Sequence, residues 1–113
     1  MPKITFPDPN ELYTLIMIDP DGVDREGNMP YLHWWISNAN AYSVDEWVKY
    51  TPPRPPRGTH RYLFYLFEQY GEISMSPLVE FPNTRENFDL SRWTRMFGLK
   101  LNENRLKGFS LEA

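Results

Sequence analysis

The stretch Leu12–Gly22, LYTLIMIDPDG, decides the fold. Its first seven residues form an apolar run rich in strand formers. Asn10 precedes it and Asp19-Pro20-Asp21-Gly22 closes it, a turn sequence in which Asp bonds nearby backbone amides and proline fixes φ. A run of this length between turn signals predicts a strand buried on both faces, at the centre of a sheet. Everything else can be placed around it. Residues 22–30 read as a polar loop, after which Tyr31–Ser37, YLHWWIS, predicts a second strand. Strict alternation puts Tyr31, His33 and Trp35 on one face and Leu32, Trp34 and Ile36 on the other.

Residues 38–50 allow two readings, because Ser43-Val44-Asp45-Glu46 has the form of a helix capping box while the same segment suits an extended chain. Thr51–Tyr62, TPPRPPRGTHRY, is a polyproline ligand of the P-x-x-P type or the rigid wall of a site. His60–Phe67 predicts a third strand, with His60, Tyr62, Phe64 and Leu66 sharing a face. Short extended pieces fit residues 73–81 around Pro77 and Pro82. Leu90, Trp93, Met96 and Phe97 recur at helical spacing, with Asp89 as N-cap and Gly98 at C′, which predicts one helix of about 8–10 residues. A final strand is expected near Phe109. The expected class is mainly β with minor α, with one short helix near the C-terminus.

With 113 residues, a single domain over 1–113 is expected. The 41% apolar and 16% aromatic content is that of a globular chain with a ring-rich core, and disorder throughout is excluded. A net charge of −3 argues against non-specific nucleic-acid binding, which draws on clustered cations. The absence of cysteine removes disulfides and thiolate chemistry. No apolar run reaches membrane-spanning or signal-peptide length, and a cytoplasmic location is expected.

Chemistry concentrates at strand ends. Asp19 and Asp21 close the first strong strand, His33 lies in the second, and His60 opens the third; these are the chain's two histidines. Neighbouring strands lie about 4.8 Å apart, so all four can converge on one pocket. Each also has a plain structural reading: a turn, a satisfied core histidine, an exposed strand start.

Taken together, LYTLIMIDPDG, YLHWWISN and YTPPRPPRGTHRYLFYLFEQ resemble, in order and spacing, the hallmark segments of the phosphatidylethanolamine-binding protein family, and NFDLSRWTRMFGLKL continues the likeness. That family also includes Raf kinase inhibitor proteins, carboxypeptidase Y inhibitors and plant flowering-time regulators. The resemblance implies a large central antiparallel sheet with a small anion pocket at one end. Matched residue by residue, the pocket would be lined by Asp19, Asp21, His33, Pro55, Pro56, Gly58, His60 and Tyr62. Two imidazoles, a phenol and loop amides suit a phosphate; glycine admits close backbone approach, and prolines set the wall beforehand. Asp19 and Asp21 would repel phosphate directly, so they would instead hold the imidazoles charged and oriented, or meet a ligand ammonium.

The resemblance thus implies a non-catalytic binding protein for a phospholipid head group, nucleotide or other phosphorylated ligand, acting as a regulator or inhibitor through a protein partner, with no cofactor or metal. Two other readings stand beside it: an interaction module with a vestigial pocket, and a metal-dependent hydrolase using the Asp and His cluster. Relative to the family, only KITF (Lys3–Phe6) precedes the first strong strand, so a shortened member is expected. An uncovered sheet face or edge would favour a homodimer or partner-bound state. Gly22, Val23 and Asp24 stand where the family has Ala-Pro-Ser, which would alter the pocket lip.

Overall fold

The protein is described by a computed structural model covering residues 2–20, 30–52, 62–74 and 81–101, with the backbone of 107–110. In chain order the elements are β1 (Lys3–Thr5), β2 (Leu12–Asp19), β3 (Tyr31–Ala39), β4 (Asp45–Val48), β5 (Leu63–Gln69), α1 (Leu90–Met96), β6 (Lys100–Leu101) and β7 (Lys107–Ser110). The main sheet runs β4-β3-β2-β5-β6, antiparallel throughout, and β1 pairs with β7 in a separate two-stranded ribbon. The apolar run at 12–18 therefore occupies the centre of the sheet, and every residue of β2 after Leu12 is buried.

Two apolar layers flank this strand. Tyr13, Leu15 and Met17 face Trp34, Ile36 and Leu66, with Ile4, Phe6, Tyr50, Tyr62 and Phe64 packed against them. Ile16 and Ile18 face Leu32, Trp35 and Phe67 on the other side, covered by Phe88 and Trp93 from the 81–99 segment. The β2–β3 part of the sheet is buried on both faces, so the expectation of an uncovered face does not hold there.

The alternation expected for β3 is corrected in register. Ile18 pairs with Leu32 and Met17 with Trp34, so one step along β2 spans two along β3. His33 is the extra residue of a β-bulge. Beyond it the faces switch: Leu32 and Trp35 join the Ile16–Ile18 layer, while Trp34 and Ile36 join the Leu15–Met17 layer. Each layer holds one fully buried tryptophan, and the bulge decides which. Trp35 becomes the hub of an aromatic cluster, with ring centroids 5.0 Å from Phe81, 5.7 Å from Trp47 and 5.9 Å from Phe88.

For residues 38–50 the extended reading is the observed one. Asn40 Oδ1 accepts from the amides of Tyr42 and Ser43, forming the turn that returns the chain into β4. α1 begins at Asp89, whose carboxylate accepts from Arg92 N at 3.2 Å. It ends in paired bonds from Gly98 N to Arg95 O and from Leu99 N to Thr94 O, with Gly98 at φ 64°. This is a Schellman closure, which requires the left-handed conformation that glycine adopts without Cβ conflict. The helix has seven residues, slightly fewer than expected. Residues 72–74 and 81–82 carry no strand, and Pro77 lies outside the described residues.

At the β2 start, a buried polar cluster locks three strands together. Gln69 Nε2 donates to Asn38 Oδ1 and Gly71 O, which orients Oε1 toward Thr14 Oγ1 (2.7 Å) and Asn38 N (2.9 Å). Asn38 Nδ2 donates to Asp45 and to Ile73 O, while its Oδ1 also accepts from Ile73 N. Thr14 spends its one hydroxyl proton on Gln69, so Ser37 donates to Thr14 and accepts from Trp35 Nε1. A buried network of this kind is stabilising only while every member is satisfied. Asn38→Ala should lower stability in urea unfolding by about 3 kcal/mol, because Gln69 Nε2 and both Ile73 backbone groups lose partners. Asn38→Gly should cost roughly 1 kcal/mol less, since residue 38 has φ 49°. A loss below about 1 kcal/mol for Asn38→Ala would show that the cluster does not hold this end of the sheet.

Candidate functional site

The opposite end of the sheet, where β2 finishes, gathers three of the predicted site residues. Asp19 is fully buried and pairs in register with Tyr31. His33 lies on the bulge two residues further along β3. Tyr62 directly precedes Leu63, the β5 partner of Ile18. The His33 ring stands edge-on between Tyr31 (centroids 5.1 Å) and Tyr62 (5.3 Å). The bulge produces this arrangement: it places the imidazole against Tyr62, near whose phenol Asp19 lies, while Trp34 packs into the Leu15–Met17 layer.

A hydrogen bond fixes the ring. His33 Nδ1 lies 2.8 Å from Thr51 O, and a carbonyl only accepts, so Nδ1 carries the proton. Nε2 is then the nitrogen whose protonation decides the charge of the ring. Thr51 N also donates to His33 O at 2.9 Å, which docks the start of the proline-rich segment on the bulge. Arg85 ties the same region from behind: its guanidinium donates to Leu32 O (3.2 Å), His33 O (3.0 Å) and Lys49 O (2.6 Å).

Burial raises the Tyr62 phenol above its ordinary value, and the nearby Asp19 carboxylate and Tyr50 add to this. Tyr50, edge-on to Trp34 at 5.5 Å, is raised by burial alone, and its buried hydroxyl has no hydrogen-bond partner among the described residues. Tyr62 therefore keeps its phenolic proton to a higher pH than a free phenol does. Among the described residues no group of three or more His, Cys, Asp or Glu side chains is placed to hold a metal ion.

Asp21, Pro55, Pro56, Gly58 and His60, together with the altered turn at Gly22–Asp24, lie outside the described residues. The observed β5 starts at Leu63 rather than His60, and Tyr62, Phe64 and Leu66 share a layer as expected. Tyr31, Tyr50, Thr51 and Arg85 belong to the site yet were not singled out from sequence. Tyr31 and Thr51 flank motif residues and were within reach of pattern reading. Arg85 is 52 residues from His33, and nothing in its local sequence announces the contact.

An antiparallel sheet with a buried imidazole, carboxylate and phenol at one end defines a β-sheet protein with a sheet-end polar site. The sequence model of the phosphatidylethanolamine-binding protein family matches residues 2–110, and the chain belongs to that family. It is 36% identical over 98 residues to Protein BROTHER of FT and TFL 1 of Arabidopsis thaliana, covering 81% of this chain and 54% of that protein. It is 38% identical over 86 residues to Protein MOTHER of FT and TFL1 homolog 2 of Oryza sativa subsp. japonica (71% and 49%). It is 35% identical over 101 residues to Protein FLOWERING LOCUS T of Arabidopsis thaliana (83% and 55%). The chain thus spans about half the length of the curated relatives it matches. No helix among the described residues is long and apolar enough to cross a membrane.

Tyr13 is also raised by burial, so three phenols hold their protons more tightly in the folded protein than in the unfolded chain. That contribution to stability is complete below the ordinary phenol value of about 10 and is lost as pH rises through the native values. Phenolate absorbance of the native protein should therefore lag that of the urea-unfolded chain, with the gap narrowing in Tyr62→Phe. Superimposable titration curves would contradict the burial of these hydroxyls.

Proposed function

We propose that this chain is a non-catalytic binding protein that holds a phosphate-bearing group at the sheet end built on Asp19, His33 and Tyr62, and acts as a regulator or inhibitor through a protein partner. The observation that carries the reading is the His33 imidazole, ordered at Nδ1 by Thr51 and set between two tyrosine rings, one of which, Tyr62, has the buried Asp19 carboxylate near its phenol. Such a ring has one proton to gain, at Nε2, and gaining it converts the site from neutral acceptor to cationic donor. Asp19 favours that charged form and would itself repel phosphate. Tyr62 adds a hydroxyl donor. Asp21, Pro55, Pro56, Gly58 and His60 complete the pocket in this reading, as the family resemblance assigns them, with glycine and prolines forming its preset rim. The family's name supplies one ligand class, phosphatidylethanolamine head groups, whose ammonium would meet a carboxylate and whose phosphate would meet the imidazoles. No catalytic step is assigned in this reading.

Inorganic phosphate and phosphoethanolamine titrated against the His33 and His60 NMR signals should shift both in parallel. Binding should weaken as rising pH removes the imidazole proton. His33→Ala should lower the affinity about tenfold, the loss of one charge-assisted hydrogen bond. Silence of both histidines toward both compounds would overturn the pocket and leave the interaction-module reading.

A further inference from the structure

We infer that Arg85 is a positioning residue, one that fixes the His33 imidazole for anion binding without touching the anion; the inference rests on the phosphate reading above. The His33 ring is held by two main-chain segments. One is the bulge that carries it, and the other is the 49–51 segment that supplies its acceptor, Thr51 O. Arg85 joins both. Nη1 bonds Leu32 O and His33 O on the bulge, and Nη2 bonds Lys49 O two residues before Thr51. The Arg85 segment is itself fastened to β3, since Leu32 N donates to Arg85 O at 2.8 Å. A planar fork with fixed donor directions sets the distance between its acceptors, which a single ammonium on a flexible stem does not.

The guanidinium is also on the wrong side of the sheet to meet the ligand. It borders a groove of about 400 Å³ with Leu32, Trp47, Val48 and Phe81, the layer opposite Tyr62. Bulges weaken the ladder locally, so a bulged residue that must aim a side chain needs an added restraint. Arg85 supplies it here: three acceptors on two segments, one of them the carbonyl of His33.

The test compares Arg85→Lys and Arg85→Met with the wild type in two measurements. The first is the His33 tautomer in the ligand-free protein, from imidazole 15N shifts. The second is inorganic phosphate affinity across pH, with unfolding stability measured alongside. The wild type should hold the Nδ1–H tautomer, and both variants should move to a mixture and lose about tenfold in phosphate affinity, by analogy with outer-shell partners of metal-site histidines. Arg85→Lys retains the charge, so its loss separates positioning from electrostatic attraction. An unchanged tautomer with affinity within about twofold of wild type in a folded variant overturns the inference, whatever the change in stability. Wild-type protein that binds no phosphate defeats the functional reading alone, and the tautomer still decides the role of Arg85. If neither variant folds, the wild type decides: resolved, slowly exchanging Nη1 and Nη2 protons are expected, and a freely rotating guanidinium overturns the inference.

Discussion

Between Met17 and Ile18 the central strand advances by one residue while its neighbour advances by two, and the extra residue is His33. The rest of the structure depends on this mismatch. In a regular pleat, Trp34 would share a face with Leu32, and Trp35 with His33. The bulge instead sends Trp34 toward Leu15 and Met17, and Trp35 toward Ile16 and Ile18. Adjacent tryptophans fall on opposite faces of any pleated strand; what the bulge decides is the layer each one enters, so that Leu32 and Trp35 share one layer and Trp34 and Ile36 the other. The same step leaves the imidazole at the sheet end, between Tyr31 and Tyr62. One backbone irregularity thus serves both the core and the site.

The two ends of β3 solve related problems differently. Near its C-terminal end a second irregularity, with Tyr13 opposite Ala39 and Leu15 opposite Ile36, is held by side chains whose hydrogen bonds close on one another: Asn38, Gln69, Thr14 and Ser37. At the His33 bulge the restraint comes from main-chain acceptors gripped by one guanidinium and one amide. The first arrangement uses its polar groups internally. The second holds an imidazole in place through its own backbone and through Nδ1.

Much of this was legible in the sequence. The run at Leu12–Ile18, the strands around YLHWWIS and LFYLFEQ, the Asp89 cap and the Gly98 stop all follow from local pattern and backbone chemistry. The hallmark segments carried the family. The β3 faces were misassigned because a bulge keeps the composition of a strand while shifting its phase, and no residue in YLHWWIS marks where the phase slips. Helix or strand for residues 43–48 stayed open because a capping-box sequence does not reveal that Asn40 already bonds the Tyr42 and Ser43 amides in a turn. Arg85 and the Asn38–Gln69 pair were beyond reach for another reason: their partners lie tens of residues away and are set by sheet register, which hydrophobic patterning fixes only after the strands are aligned.

The most direct measurement of the central claim is the cross-strand pattern of backbone NMR contacts between β2 and β3. The bulge predicts Met17 opposite Trp34, Ile18 opposite Leu32 and Asp19 opposite Tyr31, with no β2 residue opposite His33. An unbroken ladder, with Ile18 opposite His33 and Asp19 opposite Leu32, would contradict it and remove the physical basis for the sharing of one layer by Leu32 and Trp35 and for the placement of the imidazole.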